Sequence, residues 1–373
     1  MTKPANGQTI VQLFESWAPK SLAMEGDKIG LMVGTLNKPV HKVMIALDVL
    51  EEVIDEAIEQ KADFILAHHP LIYRPLKNIA TDTSYGRIIE KALKHNITIY
   101  AAHTNLDIAP GGVNDLLAEA LQLTDTKVLV PTGSEKLKKL VVFVPKSHAK
   151  IVREALGDAG CGHIGDYSHC TFNSEGIGTF LPLEGTNPYI GQTGKKEEVE
   201  EIKIETIMPQ SLQKKAISAM LAVHPYEEPA FDIYPLDNEG QICGLGRIGY
   251  LKEEMTLKQF ACFVKEALDV KGVRVVGKLD SKVKKVAVLG GDGNKFVQNA
   301  IMQGADVYVT GDVYYHVAHD AMMEGLNIVD PGHNVEKVMK LGVQKRLTEM
   351  LKEKSYATEV IVSKINTDPF SFL

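Results

Sequence analysis

The chain has 373 residues, of which 45% are hydrophobic and 24% charged, as is typical of a folded globular protein of two or three domains. A net charge of −7 argues against general attraction to nucleic acid, and no segment has the roughly 18 consecutive apolar residues of a membrane helix. Four cysteines do not make a secreted disulfide framework. We therefore expect a cytoplasmic protein with no nucleic-acid or membrane partner.

The N-terminal third predicts helices that alternate with short apolar strands. After a first helix at 9–17, strands at 43–47 and 64–67 flank an amphipathic helix at 50–60, which makes a βαβ unit. The pattern continues with a helix at 85–94, a strand at 97–101, a loop at 103–107 and a helix at 113–121. These elements predict an α/β domain with a parallel sheet.

The middle of the chain has a different order of elements. It predicts strands at 139–144, up to about 180, at 202–207 and at 230–234, with helices at 147–159 and 210–223. This order predicts a ferredoxin-like α+β domain inserted in a loop of the larger one. The boundaries are then 1–130 plus 240–373 for the main domain and 135–238 for the insert.

The C-terminal part predicts a second βαβ unit, with strands at 286–289 and 307–309 and a helix at 295–303. The two βαβ units align without a gap, which two similar halves of the main domain around a shared cleft would explain. Buried strands use few residue types, so shared composition is the alternative explanation. The alignment has these identities: Lys42/Lys285, Val43/Val286, Ala57/Ala300, Ile58/Ile301, Gln60/Gln303, Ala62/Ala305 and Asp63/Asp306.

Polar residues with metal-binding chemistry follow several predicted strands. His68 and His69 come directly after the strand at 64–67 and, as neighbours with diverging side chains, suit two different metal ions. Alternatively, one caps the following turn and the other is a hydrogen-bonded core histidine.

Two further loops carry candidate ligands. Asp107 is either a hard oxygen ligand or a turn-capping residue. His333 and Glu336 stand three residues apart near a helix start and share one face, although Glu336 would also suit a capping arrangement. Together with His68 and His69, these residues suit two divalent ions bridged by a carboxylate and a water.

Two glycine-rich segments have weaker functional signals. The segment 244–249 matches the spacing GxGxxG but lacks the following βαβ unit and acidic residue, so we interpret it as turn and strand. The segment 290–293 (GGDG) lies between a strand and a helix, where its backbone N–H groups could receive a phosphate or carbonyl oxygen.

The chain resembles the Nif-three-like family, whose bacterial members are often called GTP cyclohydrolase I type 2 homologues. Four segments carry the resemblance, namely AHHPLIY at 67–73, HTNLD at 103–107, TGDVYYH at 310–316 and DPGHNVE at 330–336. It covers residues 1 to about 130 and about 240 to 373, and the insert looks like the PII/CutA-type domain of longer members. The family implies a dinuclear metal centre, a toroidal homohexamer and a hydrolytic activity.

Carried over by position, the resemblance makes His68 and His69 ligands of different ions and makes Asp107 a ligand of one ion. The remaining positions are His333 as a ligand of the other ion, Glu336 as the bridge, and His103 and His316 as neighbouring or proton-transfer groups. Many members place the glutamate four residues after the histidine, whereas here the spacing is three.

Two functions follow as hypotheses. The first is a hydrolase with two divalent ions per chain, zinc in a purified sample or else iron or manganese, acting on an unknown small molecule of nucleotide-like or phosphoester type. The second is a non-enzymatic, metal-binding hexamer of regulatory or assembly type, in which the insert senses a ligand.

Overall fold

The structure is a computed structural model and describes residues 3–373. The chain divides into two compact units, which we call unit 1 (residues up to Thr132, and Cys243–Leu373) and unit 2 (Gly133–Ile242). Both contain helices and strands, so the predicted mixed α/β class is confirmed. No helix in residues 3–373 is long and apolar enough to cross a membrane.

The described chain contains strands and α-helices in the following order. The strands are β1 (Ala5–Asn6), β2 (Gly30–Val33), β3 (Pro39–Val40), β4 (Lys42–Ala46), β5 (Phe64–Ala67), β6 (Thr98–Ala101), β7 (Thr124–Pro145), β8 (Thr171–Phe180), β9 (Glu197–Pro209), β10 (Phe231–Thr256), β11 (Arg274–Val276), β12 (Lys282–Asp292), β13 (Val307–Gly311), β14 (Asn327–Asp330) and β15 (Glu359–Val362). The helices are α1 (Gly7–Trp17), α2 (Glu51–Glu59), α3 (Ser84–Lys94), α4 (Thr104–Ile108), α5 (Val113–Ala120), α6 (Ala149–Asp158), α7 (Gln213–Val223), α8 (Leu257–Ala267), α9 (Val297–Met302), α10 (Tyr315–Met323) and α11 (Met339–Glu353).

Unit 1 contains two sheets with parallel centres. The first has the order β15-β4-β5-β6-β2, in which only β2 runs antiparallel to its neighbour. In the second, β12, β13 and β14 are parallel and are flanked by antiparallel β11 and β10. Buried apolar strands such as β4 and β5 are typical of sheets covered on both faces.

Helices cover both faces of these sheets. One core joins the two sheets through α1, α5, α8 and α11, with Phe14, Leu117, Phe260 and Leu347 fully buried. A second core lies between the first sheet and α2 and α3, and a third lies between the second sheet and α9 and α10. Each sheet of unit 1 is therefore rigidly packed, and its strand ends can position side chains accurately.

The same arrangement of hydrogen bonds occurs once in each of the two parallel regions. Oδ2 of Asp63 accepts hydrogen bonds from the backbone N–H groups of His41 (2.6 Å) and Lys42 (3.1 Å). Oδ2 of Asp306 accepts from those of Lys284 (2.9 Å) and Lys285 (2.7 Å). Each aspartate thus fixes the start of the neighbouring parallel strand.

Unit 2 has its own core. Its elements follow the order strand, helix, two strands, helix and strand, and its strand order is β10-β7-β9-β8. Strand β9 is antiparallel to both β7 and β8. The core contains Leu140 and Val142 of β7, Val152 of α6 and Met220 of α7.

Three local predictions were wrong. The segment HTNLD is not a loop, because residues Thr104–Ile108 form α4. The strands that connect the units, β7 and β10, extend well beyond their predicted ranges. The helix expected after residue 330 begins as a 3₁₀ helix at His333–Val338 before α11.

Candidate metal centre

Six side chains with metal-ligand chemistry come together where strands of unit 1 end. His68 and His69 follow β5, and His103 follows β6 by two residues. Asp107 lies in α4. The last two, His333 and Glu336, lie in the 3₁₀ helix after β14. Three groups of three among them have ligand atoms within 4.8 Å of one another, namely His68/His69/His103, His69/His333/Glu336 and His68/Asp107/Glu336.

Glu336 lies at the centre of this cluster. Its Oε2 is 2.9 Å from Nε2 of His69, 3.3 Å from Nε2 of His333 and 3.7 Å from Nε2 of His68. The residue is only 3% exposed. In a 3₁₀ helix the side chains at i and i+3 eclipse, so the three-residue spacing brings His333 and Glu336 together directly.

Two buried atoms of the cluster have no hydrogen-bond partner in the described part of the chain. They are Nε2 of His68 and Oδ1 of Asp107, which lie 3.5 Å apart. Burial raises the pKa of Asp107 to about 6, although His68 opposes the shift. Buried polar atoms are normally paired, so these two facing atoms fit a bound cation.

Carboxylates hold two of the histidine rings through Nδ1. The Nδ1 atoms of His69 and His333 are each 2.6 Å from a carboxylate oxygen, of Asp48 and Asp312 respectively. An Nδ1–H that donates to a carboxylate leaves Nε2 free for a ligand at the front of the ring. Both Nε2 atoms face Glu336.

The other two rings are held in the same way. Nδ1 of His68 is 2.9 Å from the carbonyl oxygen of Ala102, and Nδ1 of His103 is 2.9 Å from Oδ1 of Asp27. All four histidines therefore have Nδ1 engaged in the protein, as is usual for histidines that bind metals through Nε2.

Interactions within the cluster shift the pKa values of its side chains. Burial alone would lower the pKa of His69, but hydrogen bonds to Asp48 and Glu336 raise it to about 10. The hydrogen bond to Glu336 raises the pKa of His333 to about 9 against the effect of burial. Burial would raise the pKa of Glu336, yet its interactions with the histidines, His333 foremost, keep it well below the usual range.

The glycine-rich end of β12 packs against this cluster. Gly291 has a φ of +66°, and a Cβ added there would lie 2.7 Å from Oε1 of Glu336 and 3.2 Å from Nε2 of His333. The backbone N–H of Gly290 donates to Oδ1 of Asn114, whose Nδ2 donates to the carbonyl oxygen of Asp107. The segment thus closes one side of the cluster.

A cavity of about 700 Å³ in unit 1 leads to the same side chains. Its lining includes His69, His103 and His333, with Tyr73 and Phe370 among the apolar residues. This volume is large enough for a small-molecule ligand.

His316 lies elsewhere. It is exposed in α10, where its ring is 5.4 Å from that of Tyr315, and the potential metal-ligand groups within residues 3–373 do not include it. Its role in proton transfer stays a prediction.

Sequence reasoning missed three residues that touch the cluster from behind. Asp48 and Asp312 both follow buried strands, β4 and β13, which is the signal that identified the histidines. Asp27 lies in a turn before β2 and has no such signal.

A family model described as Duf34/NIF3 (NGG1p interacting factor 3) matches residues 5–369. The chain belongs to the Duf34/NIF3 family. This confirms the resemblance drawn from the four motifs, three of which contribute the six residues of the cluster.

Relatives of this NIF3-family chain match it over its whole length. A protein of Halalkalibacterium halodurans named GTP cyclohydrolase 1 type 2 homolog is 66% identical, and a Bacillus subtilis protein of the same name is 62% identical, each with 100% of both chains covered. The crystal structure of a Bacillus cereus protein related to NIF3 is 66% identical, covers 100% of both chains and superimposes with a TM-score of 0.93. Both units of the chain therefore lie within the matched region.

Proposed function

We propose that this NIF3-family protein binds two divalent metal ions per chain. One ion would lie among His68, Asp107 and Glu336, and the other among His69, His333 and Glu336. The observation that carries the proposal is that these two groups share only Glu336, whose Oε2 faces all three histidines. Imidazole with carboxylate suits zinc, which we expect in a purified sample, with iron or manganese as the alternatives.

We propose further that the centre is hydrolytic. Two ions held here would supply Lewis-acid activation of a water molecule. His103 is positioned by Asp27 and has a pKa that is raised by that hydrogen bond against the effect of burial, so it would accept and return a proton. The cavity would admit a small substrate of nucleotide-like or phosphoester type, and the names of the relatives suggest GTP as the first to test.

The proposal includes the architecture of the chain. The repeated contact of Asp63 and Asp306 supports two similar halves in the main domain, whose cleft would hold the ions. The strand order of unit 2 supports a ferredoxin-like insert of PII/CutA type, with boundaries close to 135–238. We also propose that the protein assembles as a homohexamer.

A regulatory role is the second candidate function. Unit 2 has a core and a cavity of its own, remote in sequence from the metal-binding motifs. In that case the metal centre would stabilise an assembly, and unit 2 would sense a ligand.

Elemental analysis of the full-length protein tests the metal proposal. We expect about two ions per chain in the wild type, about one in Asp107→Asn and close to none in Glu336→Gln, because only Glu336 belongs to both groups. His316→Gln is the matched control and should keep both ions. Absence of metal from the wild type, even after reconstitution with zinc, iron and manganese, would exclude the centre. Two bound ions without turnover of GTP or phosphoesters would favour the regulatory role.

A further inference from the structure

Unit 2 contains a cavity of about 550 Å³ whose walls all come from this unit. It is lined by residues of β8 and β9, by residues of the segments 182–190 and 226–230, and by Phe143 of β7. Its volume lies in the range of small-molecule sites.

Three of the aromatic side chains that line this cavity, Phe180, Tyr189 and Tyr226, lie close together. The ring centroid of Tyr226 is 6.0 Å from that of Phe180 and 6.4 Å from that of Tyr189, with interplanar angles of 58° and 50°. Aromatic rings clustered at a cavity suit a cationic ligand, because cations are attracted to the π faces of such rings.

A buried carboxylate lies beside these rings. Glu201 is 8% exposed, and its Oε1 accepts a hydrogen bond from the Tyr226 hydroxyl at 2.9 Å. Within residues 3–373, Glu201 forms no ion pair closer than 4 Å, because Lys203 pairs with Glu205 instead. The nearby His224 interacts with Glu201 electrostatically, but burial lowers its pKa and favours the neutral ring. A buried carboxylate without a counter-ion is unfavourable, so this one is suited to a cation brought by a ligand.

Gly178 in β8 leaves the space that the carboxylate of Glu201 occupies. A Cβ added at Gly178 would lie 2.3 Å from Oε2 of Glu201, whereas a Cβ at Gly176 would meet nothing within 4 Å. The two glycines lie on the same face of the strand, but only at Gly178 does the Glu201 carboxylate occupy the space that a Cβ would take.

The remaining charges of the lining also favour a cation. Glu227 and Glu228 line the cavity with Glu201. Glu175 also lines it but is paired with Lys146 at 3.4 Å, and the single cationic side chain of the lining, Lys203, is paired with Glu205 at 3.4 Å. This excess of carboxylates disfavours phosphates and other anions.

We infer that the cavity of unit 2 is a binding site for a small organic ammonium ion. The ammonium group would lie against Glu201 and the faces of Tyr226, Tyr189 and Phe180, with the apolar body of the ligand in the rest of the cavity. The inference does not depend on the metal centre, which is formed by residues of unit 1.

Isothermal titration calorimetry on the full-length protein tests the inference, with acetylcholine as the probe and its neutral isostere 3,3-dimethylbutyl acetate as the control. We expect acetylcholine to bind at least about tenfold more tightly than the isostere, since only the charged probe gains from the carboxylate and the rings. Equal binding of the two probes, or no binding of acetylcholine, would overturn the inference.

Matched variants locate the site. Glu201→Gln and Gly178→Ala should each weaken acetylcholine binding about tenfold or more, whereas Gly176→Ala should leave it within about twofold. Tyr189→Leu, at a half-exposed ring, should weaken binding without disturbing Glu201 or the fold. Unchanged affinity in both Glu201→Gln and Tyr189→Leu would place the probe elsewhere. Metal content measured on the same samples separates failure here from failure of the metal proposal.

Discussion

At the scale of single residues, the carboxylates behind the histidines determine how well the cluster is organised. Asp48 contacts His69, and Asp312 contacts His333, each at 2.6 Å from Nδ1. Partners of this kind fix the tautomer and the ring orientation, and their loss typically weakens metal binding about 10- to 100-fold.

We therefore predict that Asp48→Asn weakens zinc binding by about 10- to 100-fold, because the amide no longer holds the Nδ1–H of His69 as a charged acceptor does. Competition with a chelating dye measures the affinity. Asp280→Asn, at an exposed position, is the control. Equal affinity in the two variants would mean that Asp48 does not position the ring.

Gly291 provides a second test at this scale. Gly291→Ala would place a methyl group 2.7 Å from Oε1 of Glu336, so we expect a marked loss of bound metal. Gly325→Ala is a matched control, because Gly325 also has a positive φ (+82°) but has open space around it. Both variants carry the backbone strain of about 1–2 kcal/mol, which the comparison removes. Full metal content in Gly291→Ala would show that the carboxylate has room to shift.

At the scale of elements, Asp63 and Asp306 join neighbouring parallel strands through paired backbone hydrogen bonds. We predict that Asp63→Ala and Asp306→Ala each lower the free energy of unfolding by about 1–3 kcal/mol, because two backbone donors lose their acceptor. Urea denaturation of metal-free protein measures the loss, with Asp280→Ala as the control. A loss in only one variant would contradict an equivalent role for the two aspartates.

Much of the parallel framework could be predicted because short buried strands and amphipathic helices have clear patterns. Strands β5 and β13 begin at the predicted residues, and the position of His68 and His69 directly after β5 made them candidate ligands. Helix α4 was missed because its five residues are too few to show helical periodicity. Asp107 lies in this helix, and its burial in unit 1 depends on the folded structure rather than on any pattern in the local sequence. Asp27 reaches His103 across 76 residues, a contact that no local pattern predicts.

At the scale of the whole molecule, the two connections to unit 2 leave unit 1 next to each other. The hydroxyl of Thr132 donates to the carbonyl oxygen of Cys243 at 3.4 Å. We predict that a chain in which residues 134–241 are replaced by a short Asn-Gly turn keeps its full metal content, because all six ligand-type residues belong to unit 1.

Elemental analysis of this shortened chain, beside the full-length protein, measures the result. A folded but metal-free product would show that unit 2 is needed for the centre. Retained metal with changed turnover or assembly would assign unit 2 a regulatory or structural role.

Glu336 and His69 meet at 2.9 Å although 267 residues separate them in the chain. Strand β15, which follows Glu336, pairs with β4 at the edge of the first sheet. During synthesis, the histidines after β5 therefore leave the ribosome long before Glu336 and before β15, the strand that pairs with β4. Both groups of potential ligands that contain Glu336 can therefore form only after residue 336 has been synthesised, so this part of the cluster is among the last contacts that the folding chain completes.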